Sequence, residues 1–199
     1  MIGSATVSRV GEISASPPAS DRVARLVVAA RGGDQAAFTA LYGRFHRVVH
    51  AVVLTRCRRG EDADLVQDVF ATAFEKLPDL LEPAAFPGWL LTIARRRAIE
   101  GLRRPLRVAP LDEAHEPGVS PPPRAEALEA LEAIRALPEA YAETLVMRLV
   151  EGLSGPEIAE RTGLTEGSVR VNLHRGMALL RERLSSEPSM KSEPRRREP

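Results

Sequence analysis

The sequence predicts an all-α protein: two small helical domains joined by a Pro-rich linker. Three observations carry that prediction. Ala, Leu, Arg and Glu dominate while aromatic residues make up 4% of the chain, a mixture that favours helix over strand. Apolar residues recur at steps of three and four over long stretches, the period of a helix with one buried stripe. Most of the 16 prolines gather near the two ends and in one central stretch, where they mark connections rather than elements. The expected organisation is a disordered N-terminus over 1–20, a first domain over 21–104, a linker over 105–123, a second domain over 124–184 and a disordered tail over 185–199.

Composition bounds the function. The chain has 199 residues, of which 44% are hydrophobic, enough to bury a core in one large domain or two small ones. Cys57 is the sole cysteine, so an intramolecular disulfide and a four-cysteine zinc site are both excluded. The N-terminal MIGSATVSRV lacks the basic start and apolar run of a signal peptide. No apolar run approaches a membrane span. The expected location is cytoplasmic, without membrane insertion.

In the first domain, DRVARLVVAA reads as a helix capped by Asp21 and ended by Arg31-Gly32-Gly33. Asp34 caps a longer helix whose Phe38, Leu41, Tyr42, Phe45, Val48, Val49, Val52 and Val53 form an apolar face. The third helix, LVQDVFATAFEKL, is opened by Glu61-Asp62-Ala63-Asp64 and stopped by Pro78. It buries Leu65, Val66, Val69, Phe70, Ala73, Phe74 and Leu77, and places Asp64, Gln67, Asp68 and Thr72 on the other side. Asp62 and Asp64 suit the positive end of the helix dipole. After a loop over 77–88, GWLLTIARRRAIEGLRR forms a fourth helix with Trp89, Leu90, Ile93, Ala94, Ala98 and Leu102 inward. Arg95, Arg96, Arg97, Arg103, Arg104 and nearby Arg107 stand against a single acid there, Glu100. An acidic linker with Asp112, Glu113 and Glu116 follows. The whole-chain net charge of +1 therefore averages over segregated charge and says little about either part.

The second domain opens with RAEALEALEAIRAL and PEAYAETLVMRLV, two helices separated at Pro138. GLSGPEIAERTGLTEGSVRVNLHRG then has the pattern of two helices joined by a tight turn. Ser154 and Glu157 form a capping box, Pro156 occupies the first turn, Gly163 ends the helix in a left-handed conformation, and Thr165 caps the next. That next helix carries Val169, Leu173, Met177, Leu180 and Leu184 on one side. Its other side presents Ser168, Val171, His174 and Arg175, flanked by Arg170 and Asn172. A packed back with small residues at the start and long donors on the front is what groove reading requires. Arg pairs with guanine edges and Asn with adenine, and both also hold phosphate. The plainer alternative is a helical hairpin with a solvated face.

Taken together, GDQAAFTALYGRF, EDADLVQDVFATAFEKL, WLLTIARRRAIEGLRR and the stretch from Leu137 to Leu184, in that order, resemble bacterial sigma factors of the sigma-70 family, of the small extracytoplasmic-function type. The resemblance covers both helical domains. It implies a protein that binds the RNA polymerase core, reads two promoter elements and helps melt the start site, with the first domain resembling region two and the second region four. It implies that Asp64, Leu65, Gln67, Asp68 and Phe70 dock on the clamp coiled coil of the largest polymerase subunit. It places Trp89, Arg95, Arg96, Arg97, Arg103 and Arg104 near the minus-ten DNA. It assigns the minus-thirty-five DNA to Thr165, Ser168, Arg170, Val171, Asn172, His174 and Arg175. The polymerase flap and an anti-sigma factor are further partners that the resemblance implies. Trp89 also falls on the apolar side of its helix, and a core role is the competing reading. Arg96 stands where relatives often carry Asn, and Phe74 where they often carry Trp.

Other constellations are weaker. His46 and His50 stand four apart, a spacing that binds zinc, but HRVVH lacks a glutamate for hydrolysis and Cys57 is the only further ligand in view. No cofactor and no metal are expected. Cys57 as an oxidant sensor is weighed against an inert thiol, the commoner case, and Asp62 with Asp64 as an acid–base pair against simple capping. No phosphate loop or nucleophile–base arrangement is evident, so no enzymatic activity is expected. Two competing functions remain: a stand-alone dimeric helix-turn-helix regulator, and a zinc hydrolase built on the two histidines.

Overall fold

The structure, a computed structural model, describes residues 19–57, 60–103 and 125–186. All regular elements among them are helical: α1 (Ala19–Arg31), α2 (Gln35–Leu54), α3 (Asp62–Glu75), α4 (Phe86–Arg103), α5 (Ala125–Arg135), α6 (Glu139–Leu149), α7 (Gly155–Thr162) and α8 (Glu166–Ser186). Short 3-10 turns at Leu77–Asp79 and Pro83–Ala85 precede α4. The segments expected to be disordered and the linker lie almost wholly outside the described residues.

Helices α1 to α4 form the first bundle, with α2 at its centre against α1, α3 and α4. Gly33, at φ +86°, turns the chain after α1, a conformation glycine adopts without steric penalty. Asp34 caps α2 by accepting from Ala36 N at 2.8 Å and Ala37 N at 3.2 Å, so two of the helix's free N–H groups are satisfied. The stripe of α2 is buried at Leu41, Phe45, Val48, Val49, Val52 and Val53. Phe45 meets Phe86 edge-on at 5.2 Å, and each of these side chains adds about 1.5–3 kcal/mol of burial.

Several expectations are corrected. Asp21 lies inside the first turn of α1 rather than capping it. The cap of α3 is Glu61, which makes no side-chain cap bond, and Asp62 turns to His50 instead, at 3.2 Å. Thr72 is buried, not outward, because its hydroxyl accepts from Arg97 at 2.7 Å and donates to the Asp68 carbonyl at 2.7 Å. Tyr42, Leu102 and Leu184 are substantially exposed. The loop over 77–88 is shorter than expected because α4 already begins at Phe86, which is fully buried.

The second bundle packs α6 on α8, α7 on α8 and α5 against both α6 and α8. The two bundles are not separate bodies. Helix α2 lies against α6 and α7, and α4 meets α7. Nothing in the periodicity of the sequence announced this seam.

Candidate nucleic-acid and polymerase surfaces

In the helix-turn-helix, the Ser154 hydroxyl accepts from Glu157 N at 3.4 Å while the Glu157 carboxylate accepts from Ser154 N at 2.9 Å. The Ser154 N–H, then the Ser154 hydroxyl, hold the Glu157 carboxyl below its usual range, against a small opposing effect of desolvation. Gly163 ends α7 at φ +79°. Thr165 then caps α8 by accepting from Ser168 N at 3.1 Å, and the two hydroxyls lie 2.8 Å apart. Loop and turn chemistry thus fix where α8 begins.

The back of α8 is buried at Val169, Gly176 and Leu180, with Leu173 and Met177 packed against the core. Gly176 was not singled out by sequence pattern. A Cβ there would lie 3.1 Å from Leu145 Cδ1 and 3.2 Å from both Leu145 Cγ and Tyr141 Cβ, so the missing side chain is what lets α6 and α8 approach. With its back held, α8 exposes Thr165, Ser168, Arg170, Val171, His174 and Arg175, with Asn172 half-buried. Ser168, Val171, His174 and Arg175 make up the accessible front, and Arg170 and Asn172 flank it on opposite sides.

The first bundle is less uniform. Among the residues assigned to the clamp, Asp64, Gln67 and Asp68 are exposed. Leu65 and Phe70 turn into the core at 7% and 3% exposure. Phe70 lies 4.6 Å from the Tyr42 ring, and Leu65 fills the space against Gly101. The outward part of that set is thus a polar, largely acidic strip, with Leu65 and Phe70 backing it.

The arginines of α4 divide into three kinds. Arg96 is open, its side chain 78% exposed beside Glu100 at 2.8 Å. Arg97 bonds Thr72 and braces α4 on α3. Arg95 is turned to the second bundle, where Nε and Nη2 donate to the two carboxylate oxygens of Glu143 at 3.0 and 2.8 Å. The side chain of Arg103 and all of Arg104 lie outside the described residues. Trp89 is half-buried, 6.0 Å from the Phe86 ring.

His46 and His50 are stacked with ring centroids 6.2 Å apart. His50 Nδ1 meets Glu151 and Nε2 meets Asp62 at 3.2 Å. Bonding to Glu151 raises the His50 pKa, against burial, which lowers it. Burial, then the neighbouring His50, lowers that of His46. Burial pushes the Cys57 thiol up to about 11, the character of an unreactive thiol.

Sequence reasoning missed Glu143. It stands in α6 beside fully packed Val146 and Met147, and a glutamate on an apolar helical face is a signal, because Glu is rarely buried unless paired. Its partners, Arg56 and Arg95, come from the other bundle and were invisible to local pattern.

Two family models match the chain, Sigma-70 region 2 over residues 41–107 and Sigma-70, region 4 over residues 127–180. A probable RNA polymerase sigma factor, RfaY of Xanthomonas campestris pv. campestris, is 33% identical over 168 residues, which is 78% of this chain but 42% of the relative. The ECF RNA polymerase sigma factor RpoE of Cereibacter sphaeroides is 31% identical, covering 76% of this chain and 88% of that one. The RNA polymerase sigma factor CarQ of Myxococcus xanthus is 30% identical, covering 77% and 92%. Among solved structures, that of CnrH in complex with the cytosolic domain of CnrY has a TM-score of 0.55 at 24% identity, covering 83% of this chain and 99% of that one, a likeness of fold. The helical pair with an exposed basic front is a DNA-reading module, and the chain that carries it belongs to the sigma-70 family. Within that family it falls among the extracytoplasmic-function sigma factors.

Proposed function

We propose that the chain joins the RNA polymerase core and directs it to a specific promoter class, the first bundle serving the clamp and the minus-ten DNA and the second the minus-thirty-five DNA and the flap. The observation that carries this reading is the exposed front of α8 in a region-4 match, linked in one chain to a region-2 match. Arg170 and Arg175 supply donors for guanine edges or phosphate, Asn172 suits adenine, and exposed Val171 offers an apolar contact for a thymine methyl. Asp64, Gln67 and Asp68 form the strip offered to the polymerase, with Leu65 and Phe70 shaping it from beneath. Arg96, Arg103 and Arg104 supply positive charge to the melted strand, and the half-buried Trp89 supplies an aromatic ring for base stacking. A chain that borrows most of its DNA affinity from the polymerase needs no strong net charge. It carries no reaction of its own, works in the cytoplasm, and is open to control by an anti-sigma partner.

The test is transcription in vitro with purified chain, core polymerase and a randomised promoter library. The expected result is initiation at sites sharing two upstream elements. Absence of any chain-dependent start would refute the reading. Asp68→Arg should weaken association with the core while leaving the helical signal unchanged; undiminished association would remove α3 from the docking face.

A further inference from the structure

A chain of polar contacts runs within the first bundle from α3 to the outer face of α4. It starts at the Asp68 carbonyl, which accepts from the Thr72 hydroxyl at 2.7 Å. With its proton committed there, the buried Thr72 oxygen turns its lone pairs to Arg97, accepting from Nε at 3.1 Å and from Nη2 at 2.7 Å. The third nitrogen of Arg97, Nη1, stands 3.5 Å from one oxygen of Glu100. The other Glu100 oxygen accepts from Arg96 Nε at 2.8 Å. Each nitrogen of Arg97 thus already faces an oxygen of the protein, whereas Arg96 keeps its side chain 78% exposed. Beside Glu100, shape fixes α4 on α3 as well: a Cβ on Gly101 would lie 3.0 Å from Leu65 Cδ2.

We propose that Arg97 is a positioning residue: it carries the placement of α3 through Glu100 to Arg96, and Arg96, not Arg97, meets the nucleic-acid strand. The inference rests on the sigma-factor reading for what Arg96 meets, but not for the relay itself. An exposed ion pair on its own holds its side chains loosely, because ordering two long side chains offsets a weak, screened attraction. The pair of Arg96 and Glu100 differs in one respect. Glu100 is also held from the inner side, by a guanidinium whose plane is fixed by two bonds to one hydroxyl. Charge alternates along the row, from Arg97 to Glu100 to Arg96, so each contact steadies the next. A guanidinium held in place beforehand loses less side-chain freedom when it meets a phosphate. The strip of α3 offered to the polymerase is thereby tied to the arginine offered to the strand.

The order of Arg96 is measured first, in the full chain without DNA, from nitrogen relaxation of its Nε–H. Arg97→Met keeps the apolar stem and removes the donors, while Thr72→Val keeps the shape and removes the acceptor. Both should lower the order parameter of Arg96, and Thr72→Ser should leave it unaltered. An unchanged value in Arg97→Met and Thr72→Val, or an equal fall in Thr72→Ser and Thr72→Val, would overturn the relay. Should Thr72→Val lose its helical signal, Arg97→Met decides alone. Affinity for a randomised single-stranded DNA pool then reads the consequence. Arg97→Met should weaken it about threefold, the scale of a lost, partly exposed ion pair. Arg96→Ala should weaken it and lower the salt slope by about 0.7, the share of one phosphate contact. With Arg96→Ala in place, Arg97→Met should cost nothing further, since the two act as one unit. A further loss, or a second fall of about 0.7 in the slope, would put Arg97 on the strand itself and reject the positioning role. Transcription with core polymerase is scored separately. A chain whose Arg96 loses order as described, yet binds no strand and starts no RNA, refutes the sigma-factor reading and leaves the relay standing; a chain that transcribes with the order of Arg96 invariant does the reverse.

Discussion

Replacing Gly176 by alanine sets two effects of similar size against each other. In a helix interior the change from Gly to Ala is worth about 1 kcal/mol in favour of the variant. Against this, the new methyl lies at 3.1–3.2 Å from three carbon atoms. Leu145 is fully buried and has no room to withdraw, and Tyr141 Cβ moves only with the backbone of α6. Overpacking of a filled core costs about 1–3 kcal/mol, so Gly176→Ala should be destabilised by about 1 kcal/mol net. Gly176→Val adds two methyls and a stiff χ1, and should lose about 3 kcal/mol. Gly43, exposed in the middle of α2 with nothing within 4 Å of its would-be Cβ, is the control. There the alanine should gain about 1 kcal/mol. Urea unfolding followed by helical circular dichroism reads all three, through midpoints at constant slope. If Gly176→Ala matches or exceeds the gain at Gly43, the close crossing of α6 and α8 is wrong, and with it the aim of the α8 front.

Three further outcomes follow from the same contacts. Ser154→Ala removes one half of the capping box and should cost about 1 kcal/mol in the same unfolding assay; an unchanged midpoint would deny the cap a role. His50, raised chiefly by Glu151, contributes stability that is full below its unfolded value of 6.5 and is lost as pH rises through the raised folded value. The groups facing it are Glu151 across the seam, Asp62 on α3, and Arg47 and His46 on its own helix α2, and His46, lowered by burial, works in the opposite sense. The stability difference between the natural chain and His50→Gln should therefore shrink from pH 5.5 to pH 8.5, and a difference that grows would reverse the assignment. Arg175→Ala should weaken minus-thirty-five DNA by about 1–3 kcal/mol if the contact is to a base edge, read as promoter-dependent loss of transcription; equal loss on altered and unaltered upstream elements would move the contact to phosphate.

The sequence by itself determined what depends on neighbours in the chain. Asp34, the Ser154–Glu157 box, Gly163 and Thr165 act over two to four residues, so caps and turns could be read directly, and the three- and four-residue spacing named most of the buried stripes. The front of α8 followed from the same period. What failed were outcomes set by distant partners. Thr72 is buried because Arg97 reaches it from α4, and Asp62 leaves the cap for His50. Only the tertiary structure decided that Gly176 sets the approach of two helices and that Glu143 holds Arg95. Those choices depend on which surfaces meet across the seam, and the energy of such contacts falls off within a few ångströms in space, with no regard for separation along the chain.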